Sequence, residues 1–387
     1  MMVTFRAALA ILAPLAVAAS LPGSAPAMAS PPGVTQSAAG PARAYVVNEG
    51  GDQVPGTVTP INTATGIAGS PIKVGGVPIA IAITPNGKTA YVTDVSRSVV
   101  IPISTATNRA ERRIRVGIGP FHLAITPNGK AVYVANNDSS TVTPISTSTN
   151  RAGRPIRVGA LPTFIVISAN GKTVYSVGSF RLSAISTATN KASRPIRIGG
   201  GLHAIAVSPD SKTVYVTDGN ALLRINAATL RVTRRIRVGA NQGVAISPNG
   251  KTLYTFACSW SAAADTMTPI PTATLRPQKK VALGFCAANH IFTPDGKTLY
   301  VVDSPTGSTP GEVVPVSTAT NTVGSPISVG EQPGALAMLS GATTAAGSTL
   351  YIVNTGSDSV TPISTATNEA GAPIPVGFLP TSIAIAR

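Results

Sequence analysis

The feature that most constrains the fold of this chain is a thirteen-residue phrase that recurs about every forty residues. It reads AITPNGKTAYVTD from Ala82, AITPNGKAVYVAN from Ala124, AVSPDSKTVYVTD from Ala206 and IFTPDGKTLYVVD from Ile291. All the tyrosines of the chain lie in units of this kind, at Tyr45, Tyr91, Tyr133, Tyr175, Tyr215, Tyr254, Tyr300 and Tyr351. A period of this length indicates one supersecondary element per unit, stacked into an array.

Each unit reads as four short strands separated by turns. The tyrosine strand is followed by a segment such as TVTPISTSTN (141–150), an element such as PIRVG (155–159) and an apolar run such as ALPTFIVIS (160–168). In the TPNGK turn, proline sets φ, asparagine tolerates unusual dihedrals and glycine takes a positive φ. In STATN, the asparagine is suited to the left-handed position that closes the next hairpin. No stretch shows sustained helical periodicity.

These units predict an all-β propeller. A four-stranded sheet of such short strands cannot bury both faces alone, and stacking the sheets around an axis solves that problem. The chain begins its repeats with a tyrosine strand and ends on an unpaired apolar strand (378–387), so the last strand is expected to become the innermost strand of the first blade. That count predicts eight blades. Seven is the alternative, because the unit at 342–348 (ATTAAGS) lacks the TPNGK turn.

The first segment differs from the repeats and predicts export. One arginine, an apolar run of about fifteen residues and an A-x-A site make residues 1–29 a secretory signal peptide. Residues 30–41 read as a flexible lead-in, and 42–387 as a single propeller domain. No other stretch is long and apolar enough for a transmembrane segment. We therefore expect a secreted or extracellular protein that associates with the cell wall. We expect it to be a monomer.

The repeat resembles a known family. The pattern Y-V-[TAV]-[ND], followed by [ST]-x-[ST]-T-A-T-N and [IV]-x-V-G-x-x-P, is similar to the YVTN-type β-propeller repeats of secreted and surface-layer proteins, over essentially all of residues 42–387. The resemblance implies an extracellular propeller used mostly for interaction. Two units depart from the pattern, since Tyr175 is followed by SVG and Tyr254 by TFAC.

Candidate catalytic residues are few. The histidines His122, His203 and His290 precede or begin inner strands, and Glu331 is the acidic residue in a loop entering such a strand. His290 and Glu331, in adjacent blades, would form an acid–base pair at the mouth of the channel, with His203 as a third member. No metal site is expected, because strand alternation points His122 away from the other two histidines. No cofactor is expected, because no phosphate-cradling loop precedes a helix.

Two further features concern the same predicted face. Cys258 and Cys286 are the cysteines of the chain, and in an exported protein they are expected to form a disulfide. Trp260, the single tryptophan, follows in a long loop. Beside a disulfide it would suit contact with a sugar or a protein partner, and the alternative is that it packs over its own loop.

The charge bias is the strongest feature beyond the repeat. The net charge is +16, and much of it lies in the outer-strand segments of blades two to six: RAERRIR, RAGRPIR, KASRPIR, RVTRRIR and RPQKK. The candidate binding arginines are Arg112, Arg113, Arg115, Arg154, Arg157, Arg194, Arg197, Arg234, Arg235 and Arg237. Charges on exposed edge strands also prevent edge-to-edge pairing, which is the alternative interpretation. A one-sided arc favours contact with an anionic partner.

From these observations we expect a secreted or envelope-associated, non-enzymatic binding or scaffold protein. Its basic rim would contact an anionic cell-wall polymer or surface glycan, and its upper face would bind a protein or other partner. Nucleic acid is not favoured, because no aromatic residues interleave with the arginines. The alternative is a propeller hydrolase or lyase, lactonase-like, that acts at the channel mouth.

Overall fold

The protein is a ring of eight antiparallel sheets. The computed structural model describes residues 42–199, 202–239, 243–258, 265–305, 308–339 and 348–386. Throughout this part of the chain the regular structure is β-strand, and none of it is a helix able to span a membrane. Each inner strand contacts the inner strands of both neighbouring sheets, and the eighth contacts the first. The predicted eight-bladed β-propeller is confirmed, and the seven-bladed alternative is wrong.

Every blade contains an inner strand, a tyrosine strand and a third strand, numbered here from blade 1 (Tyr45) to blade 8 (Tyr351). The inner strands of blades 1 to 8 are Pro380–Ala386, Pro78–Ile83, Pro120–Ile125, Pro162–Ile167, Leu202–Val207, Gly243–Ile246, Ala287–Phe292 and Pro333–Leu339. The tyrosine strands are Arg43–Asn48, Thr89–Asp94, Ala131–Asn136, Thr173–Gly178, Thr213–Asp218, Thr252–Ala257, Thr298–Asp303 and Thr349–Asn354. The third strands are Thr57–Asn62, Val99–Ser104, Thr141–Ser146, Arg181–Ser186, Ala221–Asn226, Thr266–Pro271, Pro310–Ser317 and Ser359–Ser364.

The outer edge of each blade is less regular. In blades 1, 2, 3, 4 and 8 it consists of two short pieces: Ile67–Ala68 with Ile72–Lys73, Arg109–Ala110 with Ile114–Arg115, Arg151–Ala152 with Ile156–Arg157, Lys191–Ala192 with Ile196–Arg197, and Glu369–Ala370 with Ile374–Pro375. In blades 5, 6 and 7 one strand forms the edge: Val232–Arg237, Val281–Ala282 and Ile327–Glu331.

The two ends of the described chain meet in blade 1. Pro380–Ala386 pairs with Arg43–Asn48, in a register that runs from Arg43 opposite Ala386 to Asn48 opposite Pro380. The predicted closure is therefore confirmed. The predicted signal peptide (1–29) and lead-in (30–41) lie outside the described residues.

The TPNGK turn joins the inner strand to the tyrosine strand as its chemistry predicts. In blade 2, Gly87 has a φ of 69°. The Asn86 side chain accepts hydrogen bonds from the Thr84 hydroxyl (2.7 Å) and the Lys88 amide (3.1 Å). This closed local network lets the turn carry an exposed lysine without leaving backbone groups unpaired.

Tyrosines connect neighbouring blades. Their rings are buried, and in four interfaces the hydroxyl donates to the asparagine that ends the STATN-type turn of the next blade. These pairs are Tyr45–Asn108 (2.8 Å), Tyr91–Asn150 (2.6 Å), Tyr133–Asn190 (2.7 Å) and Tyr300–Asn368 (2.6 Å). Each of the asparagines has a left-handed φ between 52° and 58°. The tyrosine and STATN motifs recur together because they bond across this interface.

Candidate functional site

We call upper face the side that carries the loops entering the inner strands and the turns after the tyrosine strands. Backbone hydrogen bonds join the two sets of loops. Asn137 N donates to Gly119 O in blade 3 (2.7 Å), and Glu49 N donates to Leu379 O in blade 1 (2.8 Å). Residues far apart in sequence therefore share one rim around the channel mouth.

His290 is a buried side chain of the inner strand of blade 7. It is 7% exposed, its ring stacks on Phe256 with centroids 4.5 Å apart, and it hydrogen-bonds to the backbone of Val244. Burial lowers the pKa of His290 to about 4, which the Val244 bond offsets only in part. The ring is thus neutral at pH 7 and packed against blade 6.

Glu331 has different neighbours. It ends the outer strand of blade 7, opposite Pro310, and its backbone contacts the upper turn of blade 8. Its carbonyl accepts from Gly356 N (3.0 Å), and its amide donates to Ser357 Oγ (3.1 Å). Glu331 thus contacts blade 8 through its backbone, whereas the His290 ring contacts blade 6. The acid–base role of this pair stays a prediction.

His122 does not extend this pair. His290 pairs with Val301, one residue after the tyrosine of its blade, whereas His122 pairs with Ala135, two residues after the tyrosine of its blade. Because side chains alternate along a strand, the two histidines point to opposite faces of their blades. Phe164 contacts the His122 ring edge-on (6.3 Å), and the Nδ1 atom is buried without a hydrogen-bond partner. Burial lowers the pKa of His122 to about 4. The His203 side chain lies outside the described residues.

Cys258 and Cys286 form the predicted disulfide, with Cα atoms 4.9 Å apart. Cys258 follows the tyrosine strand of blade 6 and Cys286 precedes the inner strand of blade 7, so the bond fastens two blades at the upper face. Trp260 belongs to the segment 259–264, outside the described residues, and its binding role stays a prediction.

An acidic group near this disulfide was not apparent from the sequence. Asp303 and Glu312 stand directly opposite each other on neighbouring strands of blade 7. Burial raises the pKa of Asp303 to about 6, and the negative charges of Glu312 and Asp265 add to the effect. Strand register brings Glu312 to Asp303, and the interface between blades brings Asp265 close. Within the described residues, no group of three or more histidine, cysteine or acidic side chains is arranged to hold a metal ion.

The basic residues form a band on the outer wall. In each of the first five blades, an exposed cation stands opposite the first residue of the third strand; these are Lys73, Arg115, Arg157, Arg197 and Arg237, the upper row of the cationic band. The residue before each is an isoleucine, buried in four of the blades and half-buried at Ile196. Strand alternation thus directs isoleucine to the core and the cation to solvent. The corresponding residues are Ala282 in blade 6, Pro375 in blade 8 and, in blade 7, Ser328, which follows Ile327 and stands opposite Glu312 because the third strand begins two residues earlier there.

Two predicted binding arginines have protein partners. Arg235 pairs with buried Asp218 (2.7 Å), and Arg113 donates to the Val74 carbonyl of the neighbouring blade (3.2 Å). The remaining predicted arginines lie exposed on the band: Arg112, Arg115, Arg154, Arg157, Arg194, Arg197, Arg234 and Arg237. Throughout the described part of the chain none of these has an ion-pair partner. Their charge is therefore available to an external anion.

A pocket of about 260 Å³ in blade 5 is also basic. Its lining residues are Lys212, Thr213, Arg224, Asn226 and Thr233. Arg224 stands opposite Tyr215, where most other blades have a proline opposite the tyrosine. The arginine could have been noticed as the residue that interrupts the repeat. The pocket could not, because it depends on how the strands pair.

The fold has known relatives, although no family model and no curated protein sequence matches the chain. The structure is similar to the dihydro-heme d1 dehydrogenase NirN in complex with DHE (13% identity, 88% of this chain and 74% of that chain, TM-score 0.70). It is also similar to AztD of Citrobacter koseri (11% identity, 89% of this chain and 97% of that chain, TM-score 0.64). A third similar structure is hydrazine synthase of Kuenenia stuttgartiensis (20% identity, 79% of this chain and 88% of that chain, TM-score 0.53). At these identities the likeness shows the β-propeller fold alone.

Proposed function

We propose that the protein is a secreted or cell-envelope-associated binding or scaffold protein of the YVTN-repeat type, whose cationic band contacts an anionic envelope polymer. The observation that carries the proposal is the upper row of the band, in which five consecutive blades present a cation at the same structural position. A row of equivalent charges fits a linear polymer with repeated negative groups.

Edge protection alone accounts less well for this pattern. One or two charges per edge strand suffice to block pairing, and proline serves as well. Blade 8 has Pro375 at the position of the row, whereas blade 2 carries Arg112, Arg113 and Arg115 on one edge segment. The excess of charge and its restriction to one arc support an external anionic partner.

Binding is favoured over catalysis by the surroundings of His290. Its ring is covered by Phe256, engaged by the Val244 backbone and neutral at pH 7, and Glu331 contacts another blade. A general acid or base works best with a pKa near the operating pH and with access to substrate. The upper face is therefore proposed to serve a partner and not a reaction.

The test is retention of the protein on purified cell-wall polymer at about 50 and about 500 mM salt. The band variant changes Arg115, Arg157, Arg197 and Arg237 to serine. The matched control removes the same charge from the turns between the inner and tyrosine strands, which lie on the side opposite the upper face. It changes four exposed lysines to serine: Lys88, Lys130, Lys172 and Lys251. We expect the parent and the control to be retained at low salt and released at high salt, because polyanion contacts weaken steeply with salt.

The band variant should lose retention at low salt. Equal loss in both variants would mean that total charge, and not the band, determines binding. If the parent is retained at neither salt concentration, the proposal is wrong, and the arginines serve to protect the edge strands from pairing.

A further inference from the structure

Two large apolar side chains lie exposed together on the upper face of blade 4. Leu161, in the loop entering the inner strand, is 47% exposed, and Phe180, in the turn after the tyrosine strand, is 49% exposed. The two turns adjoin, since Pro162 pairs with Gly178 and the Leu161 carbonyl occupies the place where a side chain at Gly178 would begin. We call Leu161 and Phe180 the blade 4 tip.

Both residues of the tip have a backbone conformation that disfavours them. Leu161 has a φ of 48° and Phe180 a φ of 69°, in the left-handed region that is strained for a bulky side chain. The equivalent turn of blade 5 is Gly219–Asn220, the chemistry that a two-residue hairpin turn prefers. Blade 4 places Ser179 and Phe180 there instead. The left-handed φ of Leu161 recurs at Leu379 in the entry loop of blade 1 (52°), whereas Phe180 departs from the turn chemistry and is still exposed. An exposed aromatic side chain kept in a strained turn indicates a function for that side chain.

The tip is bordered by cations and by another apolar side chain. Arg181 directly follows Phe180 and pairs across the sheet with Arg197 of the upper row, and Arg157 lies in the neighbouring blade. Ile118, in the entry loop of blade 3, is 62% exposed. Its carbonyl accepts from the backbone of Asp138, which is the acidic residue on this stretch of the rim. Exposed apolar side chains on upper-face turns thus lie beside an arc of positive charge.

We propose that these upper turns of blades 3 and 4 dock on an anionic lipid bilayer. The apolar side chains would enter the interface between headgroups and acyl chains, while Arg157, Arg181 and Arg197 contact the negative headgroups. A bilayer fits this surface better than a folded protein does. The apolar groups are single side chains on separate turns, and a fluid interface admits each of them without a complementary cavity. This inference goes beyond polymer binding by the band and does not depend on it.

The experiment is co-sedimentation of protein, purified from cells expressing the full chain, with vesicles. One set is phosphatidylcholine alone, and the other contains about one-third phosphatidylglycerol. The tip variant is Leu161→Gly with Phe180→Gly. Glycine suits both left-handed positions, so the variant should fold as stably as the parent or more so. The control is Ile67→Ser, which removes an apolar side chain that is 66% exposed on the outer edge of blade 1.

We expect binding of the parent to anionic vesicles and little binding to neutral ones. The tip variant should lose at least about tenfold in partitioning, with an unchanged or higher Tm and unchanged retention on wall polymer. Ile67→Ser should bind like the parent, because Ile67 lies away from the blade 4 tip. Any contribution of the N-terminal segment to binding is common to all three proteins and cancels in the comparison. Equal binding of the tip variant and the parent, or no binding of the parent to anionic vesicles, would overturn the proposal.

Discussion

The interfaces after blades 1, 2 and 3 differ from those after blades 4, 5 and 6. In the first group, the regular arc, a tyrosine hydroxyl bonds to the left-handed asparagine of the next blade at 2.6 to 2.8 Å. In the second group, the irregular arc, Leu230 and Leu275 occupy that left-handed position in two interfaces. In the interface after blade 6, Asn321 is present at this position, but its Oδ1 atom is buried without a hydrogen-bond partner.

The irregular arc is held by other interactions. Leu230 packs against the cluster that contains Tyr175, and Leu275 belongs to the cluster that contains Tyr215. Between blades 6 and 7 a disulfide at the upper face links the two blades, at the other end of the interface from Asn321. One kind of interface can therefore be maintained by three kinds of interaction, and the departures from the repeat occur in the same blades as the tip, the pocket and the acidic pair.

The largest effect is expected from the covalent link of the irregular arc. Changing Cys258 and Cys286 together to serine should lower the free energy of unfolding by about 3.5 kcal/mol, because a loop closed over a separation of 28 residues no longer restricts the unfolded chain. Denaturant titration of both proteins measures the difference. A reductant added to the parent should reproduce the value of the variant. A loss below about 1 kcal/mol would show that apolar contacts alone hold this interface.

A smaller effect, dependent on pH, is expected from His290 in the same arc. Its pKa of about 4 in the folded state is below that of an exposed histidine, so the unfolded chain takes up a proton first as the pH falls. The stability of the parent is complete above the ordinary histidine pKa and decreases toward pH 4. Between pH 7 and pH 5 this contribution amounts to about 2 kcal/mol.

His290→Gln keeps a donor for the Val244 backbone and removes the titration. Denaturation of parent and variant at both pH values isolates the effect, because the contributions of His122 and Asp303 are common to both proteins. The difference between variant and parent should shift in favour of the variant by about 2 kcal/mol from pH 7 to pH 5. A difference that does not change with pH would mean that His290 is solvated and free to titrate normally.

Much of the fold is predictable from local chemistry. The period identifies the blades, the final apolar strand predicts the closure, and turn rules predict the positive φ of Gly87 (69°) and Asn150 (52°). Those rules act within a few residues, where backbone sterics determine the outcome.

The candidate site depends on contacts between residues that are distant in the sequence, which turn rules and strand alternation do not predict. Asp303 meets Glu312 only through strand register, and Asp265 only through the packing of one blade on the next. The exposure of Leu161 and Phe180 depends on where strand pairing ends, so in the sequence they read as ordinary apolar residues of a strand or a turn. Charge on the outer segments was predictable, because alternation around a buried isoleucine can be read from the sequence.

The tyrosine bond provides the smallest and most direct test of the two arcs. Tyr91→Phe should lower the free energy of unfolding by about 1 kcal/mol, because Asn150 loses a donor at 2.6 Å while its amide still reaches Glu111. Burial raises the pKa of Tyr91 to about 12, so the hydroxyl is protonated and donating at pH 7. The matched change in the irregular arc is Tyr254→Phe.

Among the described residues the Tyr254 hydroxyl reaches the Thr318 carbonyl alone, at 3.5 Å, a distance at the limit of a hydrogen bond. Its loss should therefore cost less than about 0.5 kcal/mol in the same denaturant titration. Both changes remove one oxygen from a buried ring, so the difference between them isolates the bond to asparagine. Equal losses would mean that the asparagine at the regular interfaces serves its own left-handed turn and contributes nothing to the contact between blades.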